Sequence, residues 1–203
     1  MEKHINNFDK VVKHLEFKSS DDFYMLQIIK RRKENPEIGV NNICLRTIYI
    51  DSLEKLSKMK NDIIESCDRN KARAYINLSR KSYRKCTLQM LKAVTDRVIS
   101  NDYSKPYHIF DSVAGQCGSD RPVWVVDVDR PEGYSDEEFE SMMQSIIEVV
   151  NQCKPDDSDG KIIDILDTRN GKHILTKPFN LITFSTIYQD IEVHKNNPTI
   201  LYC

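Results

Sequence analysis

Several features that would assign a function class at once are missing from these 203 residues. The six cysteines are scattered, with no Cys-x-x-Cys pair and no Cys/His cluster. This spacing argues against structural zinc and for free thiols in a reducing compartment. The formal net charge is -1, so the chain has no global basic field of the kind typical of nucleic-acid binders. Any basic surface must therefore be local.

Long apolar segments are missing as well. No stretch approaches the roughly 20 apolar residues that a bilayer-spanning helix requires, and the N-terminal residues lack the apolar core of a signal peptide. We therefore expect a soluble, cytoplasmic protein without membrane partners. The length suits one compact unit that contains two small lobes.

The N-terminal part, residues 1–105, predicts an α/β lobe. Residues 23–32 and 43–50 are rich in β-branched and aromatic residues and predict a hairpin. Helical periodicity follows, with Asp51 and Glu54 spaced as a capping box.

The same lobe continues with a predicted strand over 72–80 and a helix over about 82–99. Residues 101–122 carry Pro, Gly and Asp and predict a joint between the lobes. The apolar residues on one face of the helix are Tyr83, Cys86, Met90, Leu91, Val94 and Val98.

The second lobe, residues 106–203, has the clearer pattern. The strand WVVDVD precedes a helix that opens at Ser135, where Glu138 completes a capping box. Two strand-like runs then flank Asn170-Gly171, a strong hairpin signal. A short helix and two short strands follow. The order is βαββαβ with one extra strand, which predicts an RRM-like (ferredoxin-like) lobe and an α+β protein overall.

The stretch WVVDVDR, residues 124–130, holds the first candidate site residues. Side chains alternate along a strand, so the carboxylates of Asp127 and Asp129 lie on one face, roughly 6 to 7 Å apart. Such a pair repels itself unless it is solvated, shares a proton or holds a cation. Aspartate oxygens with no thiolate nearby suit Mg²⁺ or Mn²⁺. In the predicted topology the strand of His173 lies beside them.

Basic residues accompany both lobes. The hairpin region concentrates Arg169, Lys172 and Lys177 around His173, as donors for a triphosphate. In the first lobe, RAYINLSRKSYRK mixes cations, including Arg80 and Arg84, with tyrosines, a composition that suits single-stranded nucleic acid. The cluster KRRK at 30–33 is another basic candidate. For each stretch the alternative is an ordinary solvated turn.

Three features of the sequence resemble the catalytic lobe of the archaeo-eukaryotic primase superfamily. They are the motif hhhDhD, in which h is an apolar residue, a hairpin with glycine and histidine some 45 residues later, and a short strand with acidic residues. The resemblance covers roughly residues 20–203 in element order. It implies template-directed nucleotidyl transfer with Mg²⁺ or Mn²⁺, nucleoside triphosphates as substrates and a single-stranded nucleic acid as partner. Asp127 and Asp129 match the first motif, and His173 matches the histidine that contacts the incoming triphosphate.

Two positions depart from that family's pattern. Gly171 stands where the second motif usually has serine, although Thr168 is near. Asp190 and Glu192 both compete for the single acid of the third motif. These departures leave open a catalytically inactive, RRM-like nucleic-acid-binding protein. A replication-initiator nickase on the same frame needs a His-x-His pair, which the sequence lacks.

Overall fold

The computed structural model describes residues 4–203 and has a mixed α+β architecture with two antiparallel sheets. In chain order the strands are β1 (Asp22–Arg31), β2 (Asn42–Ile50), β3 (Arg73–Ile76), β4 (Lys81–Ser82), β5 (Trp124–Asp129), β6 (Ile162–Asp167), β7 (Gly171–Thr176), β8 (Glu192–His194) and β9 (Thr199–Tyr202). The α-helices are α1 (Phe8–Val11), α2 (Leu53–Asn70), α3 (Tyr83–Ile99), α4 (Ile109–Gln116), α5 (Asp136–Gln152) and α6 (Leu181–Ile187). The predicted α+β class is confirmed.

No helix within residues 4–203 is long and apolar enough to cross a bilayer.

The first sheet has the order β2-β1-β3-β9, and β4 pairs with β1. β1 and β2 form the predicted hairpin, in register from Tyr24 opposite Ile50 to Arg31 opposite Asn42, with one irregularity after Ile28. Strand β3 is shorter than the predicted strand over 72–80, because pairing with β1 stops at Ile76. The chain resumes pairing only at β4.

The start of α2 differs from the predicted capping box. Ser52, not Asp51, is the N-cap, and its hydroxyl accepts a hydrogen bond from the Lys55 backbone N–H. Asp51 instead forms an ion pair with the Lys55 side chain at 2.8 Å. Sequence spacing alone did not separate these neighbouring acceptors.

The apolar face predicted for α3 is mostly exposed. Only Cys86 is fully buried in this helix, and Leu91 and Val98 are each 55% exposed. The reason is that only Tyr83 and Cys86 of α3 belong to the core cluster over this part of the first sheet. Residues of α4 occupy the remaining space over the sheet. The predicted joint over 101–122 therefore contains a packed helix.

The second sheet has the order β6-β7-β5-β8. β5 and β7, the first and third strands after residue 106, are antiparallel neighbours, as predicted. The capping box of Ser135 and Glu138 at the start of α5 is confirmed. The hairpin between β6 and β7 is confirmed too.

The final two strands separate. β8 pairs with β5 in the second sheet, whereas β9 crosses to the first sheet and pairs with β3. The sequence predicts two short strands here, and the structure has both of them, in different sheets. The division after residue 105 stays a prediction, but the chain returns to the first sheet beyond it.

Alternate side chains of β5 pack into two different core clusters, one on each side of the second sheet. Val126 and Val128 point to one side and join a core cluster with α5 and α6. Val125 points to the other side and joins the largest cluster, which also contains first-sheet residues such as Leu26 and Ile76. Asp127 shares the side of Val125. The second sheet thus presents its aspartates toward the first sheet.

Candidate functional site

Asp127 and His173 form the centre of the candidate site. They are directly opposite each other in the β5–β7 pairing, so their side chains share one face. The Nε2 atom of His173 lies 3.3 Å from Oδ1 of Asp127. The predicted adjacency of the aspartate strand and the histidine strand is confirmed.

The surroundings of Asp127 favour its ionised form. The hydrogen bond from His173 lowers the pKa of the Asp127 carboxyl below its ordinary value of 3.8, although partial burial opposes this effect. The positive potentials of His194 and Arg31 lower the pKa further. A carboxylate is therefore held in a half-buried position.

This pKa shift gives the protein an acid-dependent stability. A carboxyl group with a lowered pKa in the folded state contributes fully above its unfolded value of 3.8 and loses that contribution as pH falls further. We expect Asp127→Asn to unfold at lower urea concentration than the wild type near neutral pH, with the difference shrinking below about pH 4. Urea titrations across this range check it. A difference that persists unchanged into acid would contradict the shift.

A cleft of about 360 Å³ surrounds this pair and is lined by both sheets. Its wall from the first sheet and the turn between β1 and β2 includes Ile29, Arg31, Lys33, Asn42, Arg73, Tyr75 and Ile200. Its wall from the second sheet and the adjoining loops includes Asp127, Asp129, Thr168, Arg169, Asn170, His173, His194, Asn197 and Pro198. Carboxylates from one sheet thus face cations from the other.

The cations of the cleft differ in their partners. Arg73 forms an ion pair with Glu34, and Nη1 of Arg169 lies 4.0 Å from the same carboxylate. Arg31 donates a hydrogen bond to the Tyr75 hydroxyl at 3.4 Å, and it has no ion pair with a described residue. Arg31 therefore contributes to the cleft wall a positive charge that no ion pair with a described residue neutralises, and this charge lowers the pKa of Asp127.

The structure brings together five of the residues that the sequence nominated. Asp127, Asp129, Thr168, Arg169 and His173 all line this cleft.

Gly171 occupies the position where the second motif of the primase superfamily usually has serine, and space explains the glycine. A Cβ atom at residue 171 would meet the carbonyl oxygen of Val128 and lie 2.8 Å from Cα of Asp129. The hydroxyl of Thr168 instead accepts a hydrogen bond from the Gly171 N–H at 3.0 Å. The close approach of β7 to β5 thus excludes a side chain here.

Two predicted phosphate-binding lysines lie outside the cleft. Lys172 is adjacent to His173 and therefore points to the opposite face, where its ammonium group lies 3.3 Å from Glu140 of α5. Lys177 follows β7 and pairs with Asp157 at 2.7 Å. The sequence placed both lysines near His173. Strand alternation separates Lys172 from it, whereas Lys177 lies four residues further along the chain, beyond the end of β7.

The two predicted nucleic-acid-binding arginines are also elsewhere. Arg80 is only 3% exposed and is bound by Asp120, with Asp22 at 3.8 Å. Arg84 is exposed in the first turn of α3, and its backbone N–H donates to Asp21. Neither arginine lines the cleft, and Arg80 serves as a buried ion-pair partner.

The two candidates for the third acid have different positions. Glu192 is the direct strand partner of Asp127 on β8, whereas Asp190 lies in an exposed bend before that strand. The Glu192 carboxylate contacts Nε2 of His194 at 3.3 Å. In residues 4–203 no group of three or more His, Cys, Asp or Glu side chains is arranged to hold a metal ion.

The cleft also contains residues that sequence reasoning did not assign to it. Arg31 and Lys33 belong to the KRRK cluster and Arg73 to the first-lobe basic stretch, so composition flagged them without giving their location. His194 carried no signal beyond its place two residues after Glu192. No local pattern indicates which first-lobe residues meet the second sheet.

Comparison of the chain with models of protein families, with curated proteins and with solved structures gives no match.

Proposed function

We propose that the chain is a primase-polymerase-like nucleotidyltransferase that adds nucleotides to a nucleic-acid template or primer. The observation that carries this proposal is the pairing of Asp127 with His173, Nε2 to Oδ1 at 3.3 Å, in a cleft whose other wall supplies cations. The strand order β6-β7-β5-β8 supports an RRM-like catalytic lobe.

The donor set fits Mg²⁺ or Mn²⁺. The carboxylates of Asp127 and Asp129 are hard oxygen ligands, and no cysteine lines the cleft. Mg²⁺ is usually held by one or two carboxylates, with substrate phosphates and water completing its shell. Glu192 is the better third acid, because it is the strand partner of Asp127. Such an ion, when bound, would neutralise charge on the reacting phosphate.

The remaining residues of the cleft would bind and orient the triphosphate. The His173 ring contacts Asp127, and the cationic residues Arg31 and Lys33 line the same cleft. Charge-assisted hydrogen bonds from such groups are the strong contacts that phosphate oxygens accept. These cations take the role that the sequence had given to Lys172. Catalysis would then depend on positioning and electrostatic stabilisation.

The experiment that tests the proposal is nucleotide incorporation. We expect the protein to add labelled nucleotides to a single-stranded template or primer when Mg²⁺ or Mn²⁺ is present and not in chelator. Both ribo- and deoxynucleotides should be supplied in separate reactions. Metal-independent incorporation would contradict the proposed role of the aspartates.

A second candidate is a catalytically inactive nucleic-acid-binding protein. Gly171 in place of the family's serine favours it, since this position offers no hydroxyl to a phosphate. Binding of single-stranded nucleic acid without incorporation, across both metals and both sugars, would support this candidate over the enzyme.

Metal binding has its own expected signature. An ion that binds only the native state stabilises it by mass action, by about 1.4 kcal/mol at ten times its Kd. We expect Mn²⁺ at that concentration to raise Tm by roughly 3 to 5 °C. The double variant Asp127→Asn/Asp129→Asn should lose this shift. The control Asp156→Asn/Asp159→Asn removes two exposed carboxylates from another turn and should keep it. Equal shifts in both variants would place the metal elsewhere.

A further inference from the structure

Both ring nitrogens of His173 are engaged, and the second one meets a residue with no role so far. Nδ1 lies 2.8 Å from the hydroxyl of Thr199, while Nε2 faces Asp127. Thr199 is only 1% exposed, so its contact with Nδ1 is shielded from solvent. The ring is therefore held between a carboxylate and a buried hydroxyl.

The chemistry of these two partners determines where the neutral ring carries its proton. An ionised carboxylate only accepts hydrogen bonds, so Asp127 requires a proton on Nε2. A threonine hydroxyl both donates and accepts, so Thr199 is able to donate to an unprotonated Nδ1. The two contacts are compatible with one neutral tautomer, in which N–H points toward Asp127 and the cleft.

Thr199 reaches His173 from the other sheet. It is the first residue of β9 and pairs with Ile76 of β3 in the first sheet, whereas His173 belongs to the second. The Thr199 hydroxyl is thus positioned by the first sheet, to which the strand of His173 does not belong.

The segment before Thr199 is anchored by one side chain, that of Asn196. The buried ammonium of Lys81 donates to Oδ1 of Asn196 at 2.8 Å, and Nδ2 of Asn196 donates to the carbonyl of Gly115. Asn77 donates to the Asn196 backbone carbonyl at 2.8 Å. The bonds from Lys81 and Asn77 connect the segment before β9 to the part of the chain that forms the first sheet, and the bond to Gly115 connects it to α4.

We infer that Thr199 is a positioning residue of the site, whose hydroxyl donates to Nδ1 and holds the His173 imidazole with Nε2 directed at Asp127 and the cleft. The expected effect on nucleotide use rests on the proposed function, but the state of the ring does not. The first sheet thereby controls the direction in which the histidine of the second sheet presents its N–H.

The test is nitrogen-15 NMR of the imidazole in the full chain, at a pH where the ring is neutral. The wild type should show the proton on Nε2, and Thr199→Ser should show the same state because it keeps the hydroxyl. Thr199→Val, which conserves shape, should keep the proton on Nε2, because Asp127 still requires it, but should shift the Nδ1 resonance, because the hydrogen bond to Nδ1 is lost. Melting curves for each variant separate a lost fold from a lost contact.

Two results would overturn the inference. One is a wild-type ring with a proton on Nδ1; the other is a folded Thr199→Val variant whose ring signals match the wild type. If Thr199→Val does not fold, the wild-type and Thr199→Ser spectra still decide.

In an incorporation assay, Thr199→Val should raise the nucleotide KM about five- to tenfold, with a smaller effect on kcat, as expected for loss of one hydrogen bond. Thr199→Ser should restore it. If the wild type incorporates nothing, the proposed function fails while the spectra still test the tautomer.

Discussion

Asp127→Ala is expected to lower nucleotide incorporation on the order of 10³-fold, the largest functional effect among single substitutions in the cleft. A carboxylate that holds a catalytic cation contributes several kcal/mol of charge stabilisation, and each 1.36 kcal/mol is about tenfold in rate. Asp127 lies opposite His173 and is held ionised by it, so no neighbouring residue replaces its charge at that point. The measurement is steady-state incorporation with Mg²⁺ and with Mn²⁺.

The control for this substitution is Asp156→Ala, which removes an exposed carboxylate from the turn before β6 and should leave incorporation unchanged. Each variant also needs a melting curve, because lost turnover alone does not distinguish a damaged site from a damaged fold. Full incorporation by a folded Asp127→Ala protein would refute the proposed mechanism.

The same assay assigns the third acid. Glu192→Gln should reduce incorporation more than Asp190→Asn, because Glu192 is the strand partner of Asp127, whereas Asp190 lies in the bend before β8. The reverse order would assign the role to Asp190.

Gly171→Ser should be the most destabilising of these substitutions, although it introduces the serine of the primase-superfamily motif that the sequence resembles. A Cβ atom would lie 2.8 Å from Cα of Asp129 and 2.9 Å from the carbonyl carbon of Val128, and both are backbone atoms that no rotamer change moves. Overpacking of this kind costs about 3 kcal/mol. For a chain of this size that corresponds to a Tm lower by roughly 6 to 12 °C.

Gly39→Ser is the matched control, since a Cβ atom at Gly39 has no neighbour within 4 Å. Its Tm should stay near that of the wild type. A Gly171→Ser protein as stable as the wild type would mean that β5 and β7 are further apart than described.

Local patterns predicted the parts of this protein that depend on neighbours in sequence. The β1–β2 hairpin, the capping box at Ser135 and the placement of Asp127 next to His173 all follow from alternation, helix capping and the limited ways to join strands. Local pattern was not sufficient at Asp51, where Ser52 is the better-placed acceptor. It also did not predict α4, because a helix of only eight residues gives a weak periodic signal.

The composition of the cleft depended on contacts between distant segments. Arg31 and Arg73 line the same cleft as the aspartates because the two sheets face each other. Thr199 contacts His173 because β9 crosses to the first sheet. The sequence indicates that Lys172 and His173 lie on opposite faces of their strand, but it does not indicate which elements pack against each face. Alternation between neighbouring residues determines on which side of a strand a side chain lies, so the sequence alone indicates it. What packs against that side depends on how the whole apolar core is buried, so only the tertiary structure decides it.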